Sequence, residues 1–393
     1  MVHRSAWGES MGRCQGAGSA TGRRVAAALA ILIGLALGLG ALGCGSGEGD
    51  GGSGASKSSE PPVDPHAPPS VDAAALAKKA AAVFGKLPAA AEKETNPLTP
   101  AKIDLGRMLY YDTRLSKNHD VACNSCHKLD AFGVDGEPTS PGHRGQRGER
   151  NSPTVYNAAL HLAQFWDGRA EDVEAQAKGP VLNPIEMASP SEEHVVGVLA
   201  SIPGYVTAFA EAFPDDETPL SYDNMARAIG AFERKLITPG PFDRFLAGDL
   251  DALDPAERRG LDAFLSLGCI SCHNGATVGG LQYRKLGQIF PYETKDPGRF
   301  NVTGNEADRF VFKVPSLRNV AETGPWFHDG SITSLEEAVR LMGYHQLGLT
   351  LEPKQIADLS AFLRSLTGEI DAGYVARPEL PANGPDTPAP DPN

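Results

Sequence analysis

Two pentapeptides, Cys123-Asn-Ser-Cys126-His127 and Cys269-Ile-Ser-Cys272-His273, carry the most specific chemistry in this chain. Two thiols at this spacing reach the two vinyl groups of one haem, and the histidine that follows lies under the iron as an axial ligand. Zinc also takes paired cysteines, but pairs at 123–126 and 269–272 are far too distant in sequence for a zinc ribbon, and zinc gives no reason for a histidine after each pair. A redox-active dithiol needs no such histidine either. The pattern therefore predicts two covalently attached c-type haems. Of the six cysteines, only Cys14 and Cys44 lie outside these motifs.

Helices are expected to position both motifs. Ahead of the second, Asp254-Pro255-Ala256-Glu257 supplies an N-cap, a first-turn proline and a capping-box acid. Leu261, Phe264 and Leu265 then form an apolar stripe, and Gly268 is placed to end the helix. Thr99-Pro100 begins a similar helix ahead of the first motif, with Ile103, Leu105 and Leu109. Near the C-terminus Ile356, Leu359, Phe362, Leu363 and Leu366 recur at helical spacing. No stretch alternates convincingly as a strand would. The expected fold class is all-α.

The halves share more than the motifs. Pro153-Thr-Val-Tyr-Asn157 precedes Asp167-Gly168 at the spacing with which Pro315-Ser-Leu-Arg-Asn319 precedes Asp329-Gly330. This predicts an internal duplication into two helical domains, each with one haem. The copies then diverge. Ser334-Leu-Glu-Glu337 reads as a capping box opening a helix with Met342 on its apolar stripe, whereas the position matching Met342 in the first copy is Pro180. Met342 can offer a thioether to the second iron, and His/Met ligation raises the potential and suits electron transfer. The first iron lacks that sulfur, so it is the one expected to bind a small molecule.

The N-terminus reads as an export signal over 1–43: Arg13, Arg23 and Arg24, then the apolar run Val25–Leu42. Ala41-Leu-Gly-Cys44 resembles a bacterial lipobox, making Cys44 the expected lipid site; simple cleavage and an uncleaved anchor are the alternatives. Residues 44–71 are a Gly-, Ser-, Pro- and acid-rich linker. The remaining expected divisions are a first haem domain over 72–238, a second over 239–369 and a tail over 370–393. The net charge of −13 argues against nucleic acid and permits a basic protein partner.

From about residue 72 to about 385 the sequence resembles the bacterial di-haem cytochrome c peroxidases, most closely in NSPTVYNAALHLAQFWDGRAEDVEAQAKGPVLNPIEM and VPSLRNVAETGPWFHDG. The resemblance implies reduction of hydrogen peroxide to water with electrons from a small cytochrome c or a cupredoxin, entering through the C-terminal haem. It implies two cytochrome-c-like domains, a periplasmic location and a homodimer. By motif, His127 matches the proximal ligand of the peroxidatic haem and His143 its removable distal ligand. Glu186 matches the distal acid/base, Gln176 its polar neighbour and Trp166 the tryptophan between the haems. His273 and Met342 match the ligands of the high-potential haem. Asn151, Thr323 and Pro325 match a calcium site, the last two through backbone carbonyls. Taken without the resemblance, Glu186 and His143 read equally well as loop residues, Trp166 and Met342 as packing. Two other functions stay open: a di-haem electron carrier or redox sensor without turnover, and a protein-tryptophan-oxidising di-haem enzyme, which has tyrosine where Met342 stands.

Overall fold

The computed structural model describes residues 71–393, so the export signal, Cys44 and almost all of the linker lie outside the described residues. The helices in chain order are α1 (Ala73–Phe84), α2 (Pro100–Tyr111), α3 (Cys123–Cys126), α4 (Val173–Leu182), α5 (Glu192–Ala200), α6 (Pro203–Ala212), α7 (Tyr222–Glu233), α8 (Pro241–Leu246), α9 (Pro255–Ser266), α10 (Phe300–Thr303), α11 (Leu335–Leu347) and α12 (Pro353–Ser365). The fold is helix-dominated, as expected. Its one departure is a short antiparallel ribbon of β1 (Tyr283–Lys285) and β2 (Val311–Lys313), with Tyr283 opposite Lys313. Three-residue strands are too short to show alternation, which is why the sequence gives no sign of them. No single described helix is long and apolar enough to cross a membrane.

Local chemistry starts these helices where expected. Asp254 and Glu257 form the reciprocal capping box of α9, and Gly268 follows the helix at φ 98°, a left-handed value that glycine accepts without strain. Thr99 caps α2. That helix, however, stops at Tyr111, and a 3₁₀ turn at Thr113–Leu115 and a loop intervene before Cys123. Ser334 caps α11 by accepting from Glu337 N–H, but the expected return bond is not made. The Glu337 carboxylate instead takes two hydrogen bonds from Arg340, at 2.6 and 2.7 Å. An arginine one turn away outcompetes a single backbone N–H because its bidentate, charge-assisted pair is the stronger contact.

Two apolar clusters form the core of the described residues. In one, α2 crosses α7; in the other, α9 crosses α12. Both crossings depend on a glycine. A methyl group on Gly106 would run into the Ala228 carbonyl and the Phe232 Cβ; one on Gly260 would run into the Asp358 carbonyl and the Phe362 Cβ. Each core borrows chain from outside its own stretch of sequence. Leu76, Ala80 and Phe84 of α1 pack in the cluster built on α9 and α12, while Val375 from the C-terminal tail packs in the one built on α2 and α7. The tail does not hang free: Tyr111 donates to the Val375 carbonyl at 2.6 Å, and Arg114 to the Pro381 carbonyl at 2.9 Å.

A buried ion pair fixes α4 to α7. Arg234 donates to both oxygens of Glu174, at 2.8 and 2.7 Å, and Asn96 adds a third bond at 2.9 Å. Burial would push this carboxyl up, but these hydrogen bonds overcome it and hold the group down to about 2. A depressed carboxyl stabilises the fold at pH above its unfolded value near 4.5, and that stability is lost as pH falls toward 2. Glu174→Gln should therefore melt well below wild type at pH 7, by about 3–5 kcal/mol if the Arg234 charge stays buried without its partner. The gap should narrow between pH 4.5 and 2 in thermal melts of the two proteins. A constant gap across that range would contradict the assignment.

Candidate functional site

The second motif follows α9 directly, in a 3₁₀ turn at Cys269–Ser271. Cys269, Cys272 and His273 line a cavity of about 270 Å³ that α11 closes with Met342 and the β-ribbon with Phe312 and Lys313. The lining is mainly apolar, with Phe264, Leu267, Leu359 and Leu363 among its walls. Burial holds His273 down to about 4, against the raising effect of the Val278 and Pro315 backbone. The imidazole is therefore neutral, the form in which a histidine nitrogen ligates a metal.

The first motif forms α3. His127 is half-buried with Nδ1 3.3 Å from the Gly133 carbonyl, which leaves Nε2 as the free ring nitrogen. Tyr110 donates to the His127 carbonyl at 2.8 Å and anchors the backbone at this point.

The four thiols are compatible with the haem reading. None of the four is in a disulfide. Burial pushes Cys123 up to about 12, and Cys126 and Cys269 up to about 11. Burial thus favours the neutral form at these three sulfurs, and a thioether is likewise neutral. Nor do the two pairs converge: among the described residues no three His, Cys, Asp or Glu side chains gather to hold an ion. Apolar cavity, neutral histidine and half-buried cysteines together fit haem.

Around the first motif the chain brings His143 and Glu186 together. His143 is buried, with its backbone N–H donating to the Glu186 carbonyl at 2.7 Å and its Nδ1 without a partner. Gly142 allows this approach. A Cβ there would fall inside contact distance of the Ile185 and Glu186 backbone. The Glu186 carboxylate is half-buried and accepts from Asn183 Nδ2 at 2.8 Å. Burial raises its pKa, opposed by Arg169 and by the Asn183 hydrogen bond. Glu186 is also close enough to Cys126 to act on the thiol's charge. Gln176 sits half-buried on α4 and, among the described residues, hydrogen-bonds none of these groups.

Trp166 joins the two halves. It lines the second-motif cavity, and its Nε1 donates to the Asn151 carbonyl at 2.9 Å. Its ring meets that of His328 edge-on, 6.5 Å between centroids. Asn151, Thr323 and Pro325 line the same cavity. Asn151 Nδ2 donates to the Glu137 and Pro138 carbonyls, which turns Oδ1 the other way. An amide oxygen and two carbonyls are hard donors of the kind calcium takes.

Two features escaped the sequence reading. Asn183, which fixes the Glu186 carboxylate, had a local signal in Asn183-Pro184-Ile185-Glu186: its Oδ1 accepts from the Ile185 N–H at 3.1 Å in an Asx turn. The half-buried pair Lys313–His161 had none.

Residues 100–251 match the family model described as di-haem cytochrome c peroxidase. The chain is 45% identical over 331 residues to the cytochrome c551 peroxidase of Pseudomonas aeruginosa, an alignment spanning 82% of this chain and 95% of that protein. It is 48% identical over 299 residues to the cytochrome c551 peroxidase of Nitrosomonas europaea, spanning 75% and 88%. Among solved structures it resembles a MauG-like protein associated with microbial copper homeostasis, at TM-score 0.68 and 29% identity over 75% of this chain and 97% of that one. A chain with this apolar cavity, these two motifs and relatives this close belongs to the di-haem cytochrome c peroxidase family, haem-dependent oxidoreductases that act on hydrogen peroxide.

Proposed function

We propose that the two motifs carry unequal haems, from a duplicated domain, and that peroxide is reduced at the first with electrons entering through the second. Covalent bonds through Cys123 and Cys126, and through Cys269 and Cys272, would hold them, with His127 and His273 as proximal ligands. The haems supply the one-electron redox steps and the iron at which peroxide is reduced. Met342, which lines the same cavity as His273, would offer its thioether to the second haem iron. Tyr344 is 41% exposed, stacks on Phe290 and does not line that cavity, which favours a peroxidase over a protein-tryptophan-oxidising relative.

The observation that carries the reading is the 2.7 Å bond from His143 N–H to the Glu186 carbonyl. The segment bearing the removable ligand is tied to the segment bearing the acid/base. Release of His143 and opening of the space around Glu186 are then one event, an order-to-open switch of a loop. Glu186 takes a proton from one peroxide oxygen and returns it to the other as the O–O bond breaks. With two electrons and two protons, both oxygens leave as water. Gln176 contributes polarity beside it. Trp166, reaching the second cavity and bonded to Asn151 on the first-motif side, is the bridge for electrons.

The donor is a small cytochrome c or cupredoxin. Exposed Ile289 and Phe290, bonded through their backbones to the His345 carbonyl on the helix that carries Met342, offer it an apolar landing. Export to the periplasm, a lipid on Cys44 as the sole membrane attachment, calcium at Asn151, Thr323 and Pro325, and a homodimer complete the reading.

The test is a redox titration of the holoprotein followed by EPR, then peroxide addition to the half-reduced form with reduced cytochrome c as donor. We expect a low-spin His/Met haem to reduce first, the second-site spectrum to show sulfur ligation, and peroxide-dependent oxidation of cytochrome c to begin only then. Absence of peroxide-dependent turnover in the half-reduced protein would leave an electron carrier or sensor.

A further inference from the structure

Lys313 is a lysine in the wrong place. It lies at the end of β2, 7% exposed, on the wall of the second-motif cavity. Burying an ammonium is costly unless a counter-charge compensates it, and among the described residues no carboxylate acts on this one; its side-chain partner is a neutral ring. Nζ lies 3.2 Å from Nδ1 of His161, which lines the same cavity. Burial, with the Lys313 charge beside it, holds His161 well below the ordinary histidine range, so the imidazole is neutral and accepts from Nζ. Its one proton is then on Nε2, which is buried without an acceptor. Burial pushes Lys313 down to about 8, which still leaves it mostly charged at neutral pH.

The rest of the wall repeats the bias. In a chain of net charge −13, the cavity lining includes Lys313 and Arg284 and no Asp or Glu. Arg284 pairs with Phe312 in the ribbon, one residue from Lys313, so both cations come from the same two strands. The position is fixed from below: the Lys313 N–H donates to the Trp166 carbonyl at 2.8 Å. Gly280 packs on the His161 ring, where any side chain would collide with it.

We propose that Lys313 is the anchor for a carboxylate carried by the cofactor in this cavity, a haem propionate, with His161 holding the ammonium in place. The charge missing from the protein then arrives with the ligand. The Nζ and Nε2 donors leave from different sides of the imidazole and so serve separate acceptors, which a group with two propionates provides. Lys313 is also backbone-bonded to Trp166, so the anchor sits where electrons would pass between the haems. It is a positioning residue, acting on the cofactor and not on peroxide. This inference rests on haem occupying the second motif.

The test uses holoprotein of wild type, Lys313→Met and Lys313→Arg. Mass spectrometry of the Cys269–His273 peptide comes first; wild type without haem there would overturn the underlying reading before Lys313 is addressed. With haem attached, Lys313→Met should shift the propionate bending band in the resonance Raman spectrum. It should also lower the midpoint potential of the second haem, because a buried cation favours the reduced form. Lys313→Arg should restore most of both. If Lys313→Met folds poorly, Lys313→Gln against Lys313→Arg gives the same contrast. An unmoved Raman band and unchanged potential would overturn the anchor. Titrating wild type with acetate at constant ionic strength separates the sources of carboxylate: no effect is expected, and an acetate-dependent potential would mean that a solute, not the propionate, occupies the subsite.

Discussion

Glu186→Gln should lower kcat for peroxide reduction by about 10²–10⁴-fold, the range that positioned acid–base catalysis contributes, and leave the haem spectra and midpoint potentials at wild-type values. The substitution is close to isosteric. Asn183 Nδ2, 2.8 Å from the Glu186 carboxylate, can donate equally well to a glutamine carbonyl, so the side chain stays in place. The backbone carbonyl that accepts from His143 N–H is also untouched. The switch should therefore still open on half-reduction, and EPR should show the same release of His143. What disappears is a group able to take a proton and give it back. Burial raises the Glu186 pKa, which moves it toward the working pH and makes the return of the proton easier. An amide can do neither. Asn183→Ala offers the graded companion: the carboxylate is kept but loses its orientation, so turnover should fall less and the pH profile should move. Normal turnover in Glu186→Gln would assign the proton transfers to another group.

The parts of this molecule legible in its sequence are those set by neighbours in the chain. The two haem motifs, the Asp254–Glu257 capping box and the stripe of α12 are each complete within a dozen residues, so local rules suffice. The matching segments share Asn157 and Asn319, and the backbone explains their identity: both adopt left-handed φ, 61° and 60°, which asparagine tolerates better than most residues. Long-range pairing was not legible. Lys313 reads as an ordinary strand lysine, and only the fold brings it against His161, 152 residues away. Glu337 went to Arg340 because two local partners competed for one carboxylate, and capping rules do not rank them. The division of the chain at 238–239 says nothing of α1 packing with the second cluster or Val375 with the first, since such exchanges depend on where the ends of the chain return. Helix-period patterns assign a residue to a buried face without saying which core it enters.

Thr238→Val should destabilise the protein by several kcal/mol although it changes one hydroxyl to a methyl. Thr238 is fully buried. Its Oγ1 accepts from Asn157 Nδ2 and from Asn319 Nδ2, both at 2.9 Å and both 81 residues away along the chain, one on each side. The same arrangement continues outward. Asn157 Oδ1 accepts from the Thr238 N–H at 3.1 Å, and Asn319 Oδ1 from the Gly368 N–H at 2.9 Å. The backbone follows suit, with Asn157 N–H donating to the Leu236 carbonyl and Asn319 N–H to the Leu366 carbonyl. One hydroxyl thus serves the corresponding asparagines of the two matching segments. Valine fills the same space and accepts nothing, so two buried amides are orphaned at about 1–3 kcal/mol each. Thr238→Ser keeps the acceptor and should recover most of the loss. The decisive measurement is a double-mutant cycle by denaturant unfolding. With Thr238 already valine, Asn157→Ala should cost far less than in wild type, because the amide it removes has lost its partner; so should Asn319→Ala. Costs that simply add would mean that the hydroxyl does not couple Asn157 to Asn319, and that the contact between their segments is held by packing alone.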